Sequence, residues 1–210
     1  MARGTVIRDY GGVSAGDRRA ARRDKLIAAA RRAWGAQGLG AVTVRGVVSE
    51  AGLTNRYFYE HFPNRDAVIV AVADQVREEM FTTLVETSMG AEGDVEARLE
   101  AALTVFLRGI AEDPERQRIL TTEVGQIAGL ENRRRETFEL LAALILEYGP
   151  QVPGFTPVVD AAARRHAQFV VGGVNQVIDG WLAERDIPVE DLARVCTELC
   201  MAVTAVGDLR

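Results

Sequence analysis

Residues 43–65 read TVRGVVSEAGLTNRYFYEHFPNR, a stretch that predicts two short helices, a tight glycine turn between them and the start of a third helix. Thr43 is placed to cap the first, its hydroxyl accepting an orphan backbone N–H. Val44, Val47, Val48 and Ala51 follow at i, i+3, i+4 and i+7, which is one apolar helix face. Gly52 ends that helix, because glycine takes the left-handed conformation without a Cβ penalty. Thr54 is placed to cap the second helix. Leu53 before it and Phe58 four residues after it have the spacing of a hydrophobic staple. Phe58 and Phe62 point inward in this reading and leave Asn55, Arg56, Tyr57, Tyr59 and Glu60 on the outer surface.

An outer face of amide, guanidinium and phenol groups suits a helix lying in the major groove of DNA. Arg pairs with guanine edges and Asn with adenine edges, while Tyr hydroxyls reach phosphates. Two short helices with a glycine turn make a helix-turn-helix, with the second helix as the reader. An ordinary packed helical hairpin has the same spacing, so the pattern alone leaves both open.

From Leu26 to Arg65 the sequence resembles the DNA-binding domain of the TetR/AcrR family of bacterial transcriptional regulators. The matching residues are Ile27, Ala30, Trp34 and Gly38, then Thr43-Val44-Arg45, Glu50-Ala51-Gly52, Phe58-Tyr59, His61-Phe62-Pro63 and Arg65. Two positions depart from the pattern: Val48 replaces a small residue, and Leu39 replaces an aromatic after the glycine. The resemblance implies an all-α fold, with an N-terminal three-helix helix-turn-helix domain and a C-terminal helical domain for ligand binding and dimerisation. It implies that Thr54–His61 enter a major groove, with Asn55, Arg56 and Tyr57 reading bases. Thr43, Arg45, Tyr59, His61 and Arg65 then hold mainly phosphates, Arg65 from the first turn of the helix that Asn64 caps.

Upstream, Asp17 to Gln37 predicts a helix with Leu26, Ile27, Ala30, Ala33 and Trp34 inward and Gly38 as its terminator. Arg18, Arg19, Arg22, Arg23 and Lys25 crowd its first turns, against the preference for acids at a helix N-terminus. Such a placement asks for an external anion, or else is a solvated basic face. Residues 1–16 lack apolar periodicity and are expected to be a disordered arm, with Arg3 and Arg8 as its possible phosphate contacts.

Charge divides the chain the same way. Residues 1–65 hold 12 Lys and Arg against 5 Asp and Glu, whereas the whole chain carries a net −5. A basic N-terminal third on an acidic protein fits local contact with nucleic acid better than general stickiness. Apolar content of 48% with 26% charged residues is that of a soluble globular protein, and charges interrupt every candidate membrane span. The N-terminal arginines precede no apolar run, so no signal peptide is expected and the location is read as cytoplasmic.

Downstream the chain reads as helical throughout, giving domains of 17–65 for DNA binding and 66–210 for effector binding and dimerisation. A long fourth helix to about Thr87 has Val68, Val72, Val76, Met80 and Leu84 at i, i+4 steps, long enough to transmit movement. Further helices are expected over 95–112, from Pro114 to near Gly129, and over 131–148, 158–184 and 188–206. Val170, Val174, Val177 and Trp181, with Leu192, Val195, Leu199 and Val203, line faces that could pack on a symmetry mate. The segment from Gly172 to Leu182 resembles the family's dimer-forming helix, which implies a homodimer through the last two helices.

The resemblance also implies a small-molecule effector pocket. Phe106, Phe138, Phe169 and Met80 are candidate apolar walls, and Glu123, Gln126, His166, Gln168 and Asn175 candidate polar contacts. Catalytic residues, metal ligands and cofactors are not expected. His61 and His166 are the only histidines, and no phosphate-cradling glycine loop or serine nucleophile motif occurs. Cys196 and Cys200, four apart, are better read as buried packing than as a redox pair or metal site. The expected function is a ligand-responsive, sequence-specific transcriptional regulator, a repressor released from a palindromic operator by a small molecule. The alternatives are a DNA-binding regulator governed by a protein partner or by no effector, and an enzyme on a helical scaffold.

Overall fold

In the computed structural model of the chain, which describes residues 14–120, 122, 127, 129–151 and 163–205, every regular element among the described residues is helical. The helices are α1 (Ala15–Gln37), α2 (Val44–Ala51), α3 (Asn55–Tyr59), α4 (Arg65–Gly90) and α5 (Val95–Ala111). They continue as α6 (Pro114–Leu120), α7 (Leu130–Tyr148), α8 (Ala163–Glu184) and α9 (Val189–Ala205), with short 3-10 turns at Leu39–Ala41 and Gly149–Gln151. The all-α class read from the sequence is the observed one. The chain divides into two compact units, Met1–Val72 and Ala73–Arg210, so the division falls inside α4, two turns beyond its first residue.

In the first unit, α1 begins earlier than expected. Ser14 Oγ accepts the Asp17 N–H at 3.0 Å, and the Asp17 carboxylate accepts the Ser14 N–H at 3.2 Å. This reciprocal capping box satisfies two orphan donors and sets the helix start at Ala15, not Asp17. The rest of the anticipated arm, with Arg3 and Arg8, lies outside the described residues. α1 ends at Gly38, which has φ 88° and returns its N–H to the Trp34 carbonyl at 2.7 Å. Leu26, Ile27, Ala30 and Trp34 are buried with Val47, Phe58 and Phe62. Val48, larger than the resemblance calls for, is also buried.

In the second unit, α5 packs on α9, and α7 packs on α8, which also meets α9. Leu103, Leu107 and Ile110 of α5 are buried, as are Leu192, Ala193, Cys196 and Cys200 of α9. Along α4 the i, i+4 series is buried at Val68, Val72, Val76 and Met80 and half-buried at Leu84. α6 was expected to reach Gly129 but ends at Leu120. There the Thr122 hydroxyl donates to the Arg118 carbonyl at 2.7 Å. Residues 158–162, expected in the eighth helix, lie outside the described residues.

The apolar face drawn for α8 and α9 mixes two directions. Trp181 is buried, and its indole N–H donates to the Ile187 carbonyl at 2.8 Å, so it faces its own subunit. Leu192 is buried too, whereas Val195 and Leu199 are exposed one turn apart. Among the described residues no helix is long and apolar enough to cross a membrane.

Candidate nucleic-acid interface

Local chemistry builds the support for α3. Thr43 Oγ1 accepts the Gly46 N–H at 3.0 Å and caps α2 as its sequence predicts. A Cβ at Gly46 would sit 3.0 Å from that hydroxyl oxygen, tighter than an ordinary contact. Gly52 takes φ 64°, ψ 33°, and the next amide, that of Leu53, bonds the Val48 carbonyl at 2.9 Å to close the turn. Thr54 departs from its expected role. Its carbonyl accepts the Phe58 N–H at 3.2 Å, but its hydroxyl caps no amide of α3. Thr54 itself is exposed.

A helix of one turn does not stand alone. Phe58 anchors it, fully buried, with the Phe62 ring 5.7 Å away and the Tyr59 ring edge-on at 5.4 Å. With Phe58 inward, Asn55, Arg56 and Tyr59 are exposed, as are Thr43 and Arg45. The Arg56 side chain is 86% exposed and pairs with Glu60 at 3.1 Å, i to i+4. Such a surface pair contributes about 0.3–0.5 kcal/mol, so it yields readily to a stronger partner. Tyr57 is half-buried.

His61 is also half-buried, and its Nε2 is enclosed with no hydrogen-bond partner among the described residues. Burial, then the positive charges of Arg19 and Arg22, push its pKa below the ordinary histidine value. Glu60 pulls the other way and Arg23 adds to the depression. The imidazole near pH 7 is therefore neutral and brings no charge to the surface.

Arg65, assigned to phosphate from the sequence, is engaged within the unit. Its Nε–H donates to the Val42 carbonyl at 2.5 Å and its Nη2 to the Leu39 carbonyl at 2.6 Å, with Asp66 3.6 Å from Nη1. The guanidinium thus ties the start of α4 to the loop before α2. Asn64 caps that start as expected, accepting the Ala67 N–H at 2.9 Å.

The arginines of α1 hold the least expected geometry. Arg19 Nη2 donates to the Glu60 carbonyl at 3.2 Å, past the end of α3. Arg22 lies over the Tyr57 ring, 4.8 Å from its centroid, and Arg23 lies 5.4 Å from that of Phe62. Arg32 reaches Glu50 of α2 at 3.0 Å. The sequence showed a surplus of cations seeking an anion. It carried no sign that two of them address the reader helix and its C-terminal cap, because that pairing spans about forty residues and depends on the packing angle of α1.

The candidate effector residues differ in burial and partners. Glu123 and Gln126 lie outside the described residues. Phe169 is 67% exposed and Gln168 is exposed, so in the single chain neither is a wall of a closed cavity. Phe138 is half-buried beneath Arg134 at 5.5 Å. Asn175 donates to Asp179 at 2.9 Å, and Arg134 reaches the same carboxylate at 3.0 Å, linking α7 to α8. Phe106 and His166 are half-buried and Met80 is buried. Cys196 and Cys200 are free and buried, with both thiols pushed up by that burial.

Residues 26–72 match the family model of the bacterial regulatory proteins, tetR family. No curated protein sequence matches the chain. Among solved structures, the chain is similar to a tetR-family transcriptional regulator from Streptomyces coelicolor, at 17% identity over 90% of this chain and 82% of that one, TM-score 0.71. It is similar to the multidrug binding protein EbrR complexed with imidazole, at 22% identity over 95% and 97% of the two chains, TM-score 0.69. It also resembles the TetR family repressor AlkX from a Dietzia strain, implicated in biodegradation of n-alkanes, at 22% identity over 88% and 96%, TM-score 0.57. At these identities the likenesses establish a shared fold.

Proposed function

We propose that the chain, whose residues 26–72 match the family model of the bacterial regulatory proteins, tetR family, is a sequence-specific DNA-binding transcriptional repressor which acts as a homodimer and is released by a small molecule. The observation that carries this is the outer face of α3, where Asn55, Arg56 and Tyr59 stand exposed over the buried Phe58. Asn55, Arg56 and the Tyr57 edge read bases in the major groove; Thr43, Arg45, Thr54, Tyr59 and His61 position the helix on phosphates. Arg65 supports the same surface from behind.

Two subunits place two reader helices on half-sites about one helical turn apart. Phe169 of α8 and Val195 and Leu199 of α9, large apolar side chains exposed in the single chain, support a two-fold interface there. Relatives in fold bear on the effector: EbrR is a multidrug binding protein. An effector that empties the operator nearly completely must favour the released state by about 5.5 kcal/mol. α4, which starts beside the reader domain and ends in the second unit, is the continuous element through which such a preference acts.

The test is binding of the purified protein to DNA flanking its own coding sequence, by fluorescence anisotropy at two salt concentrations, with sedimentation to fix stoichiometry. The expected result is a dimer on a palindromic site, at least about a thousandfold tighter than on unrelated DNA. A monomer that binds all fragments alike overturns the proposal. A dimer that binds its operator and ignores every small molecule tried leaves the regulator standing and removes the effector.

A further inference from the structure

α3 has too few residues to set its own direction, and its N-cap hydroxyl is not used on it. Its C-terminal end is met from outside. The Arg19 guanidinium donates to the Glu60 carbonyl at 3.2 Å, just where a helix leaves acceptors without partners and its dipole favours a cation. One turn along α1, Arg22 stacks over Tyr57 at 4.8 Å. Arg22 Nε is buried without a hydrogen-bond partner among the described residues, so that atom faces protein and cannot reach a phosphate. Arg23 completes the row over Phe62.

We propose that Arg19 and Arg22 are positioning residues for base reading: they splint α3 against α1 and fix the plane of the Tyr57 ring. This rests on the DNA-reading function proposed above. The two roles open to a basic residue at such a surface make opposite predictions. A phosphate ligand strengthens binding to every sequence and adds to the salt dependence. A splint adds nothing to the salt dependence but sharpens the difference between right and wrong bases. Stacking also favours arginine over lysine, whose ammonium lacks the planar face.

The experiment uses the full-length protein and the variants Arg22→Gln, Arg22→Lys and Arg19→Gln. Without DNA, amide hydrogen exchange over residues 55–61 is expected to quicken about threefold in Arg22→Gln, with Val68 to Val72 unchanged. With DNA, the ratio of operator affinity to that of single-base variants is expected to fall about tenfold. The slope of log affinity against log salt should stay as in the parent. Should Arg22→Gln lose its fold, Arg22→Lys carries the same test: discrimination must fall while the slope holds. A slope reduced by about one, with equal weakening on all sequences and unaltered exchange, makes Arg22 a phosphate ligand and overturns the proposal. A protein that binds no DNA defeats the functional reading, while the exchange measurement still decides the splint.

Discussion

The Arg65 guanidinium closes on the Val42 carbonyl at 2.5 Å, joining residues 23 apart in sequence and placing the first turn of α4 against the loop that precedes α2. A second bond to Leu39 fixes the fork in its plane. A cation holding two carbonyls is a brace, since either oxygen would lose its partner if the side chain were cut back. Arg65→Ala is therefore expected to lower unfolding free energy by about 1.5–3 kcal/mol. Urea titration would show this as a lower midpoint at unchanged slope. Undiminished stability, together with a weaker salt dependence of DNA binding, would return Arg65 to the phosphate role.

Arg56 behaves in the opposite manner. Its side chain stands almost wholly in solvent, paired with Glu60. Arg56→Ala should leave stability within about 0.5 kcal/mol of the parent. It should relax preference at one base position by about 1–3 kcal/mol. Competition binding against single-base operator variants would measure this, and a uniform loss at every position would argue against base reading.

His61 gives the fold a pH dependence of known direction. Burial and Arg19, Arg22 and Arg23 together outweigh Glu60 and hold its folded pKa below the ordinary value. Unfolded, the ring titrates near about 6.5. Between the two values the unfolded chain binds more protons, so stability declines as pH drops through that window and is fully present above it. His61→Gln should flatten the fall in melting temperature between pH 7.5 and 5.5. A variant as acid-sensitive as the parent would place the effect elsewhere.

The buried thiols should be silent in the native state. Cys200 is pushed up to about 12 by burial, with Cys196 adding to the shift. At pH 8 a thiol reagent is expected to label neither cysteine at an appreciable rate, and both promptly in denaturant. Rapid native labelling would contradict this packing of α9.

What the sequence made legible was local. Thr43, Gly52 and Asn64 act on backbone within a few residues of themselves, and their side-chain chemistry or conformational freedom decides the outcome whatever the rest of the chain does. The apolar steps of α4 are legible for the same reason: period alone fixes the inward face. Thr54 was not, because a one-turn helix is directed by Phe58 and by its neighbours more than by its cap. The partners of Arg19, Arg22 and Arg65 within the fold were not legible because a guanidinium's partner is set by tertiary distance, which charge counting does not contain. Trp181 shows the limit of period on a helix with two apolar sides: its indole N–H found Ile187, and so the residue turned inward.

Gly46 narrows what mutation can do to this surface. Its missing methyl leaves the Thr43 hydroxyl its seat on the backbone. A Cβ at position 46 would need that oxygen to give by a few tenths of an ångström, so a randomised library selected for operator occupancy should return only residues that keep the Thr43 cap, even while the exposed neighbour Arg45 diversifies. New operator preferences would then have to arise around a fixed point in the scaffold.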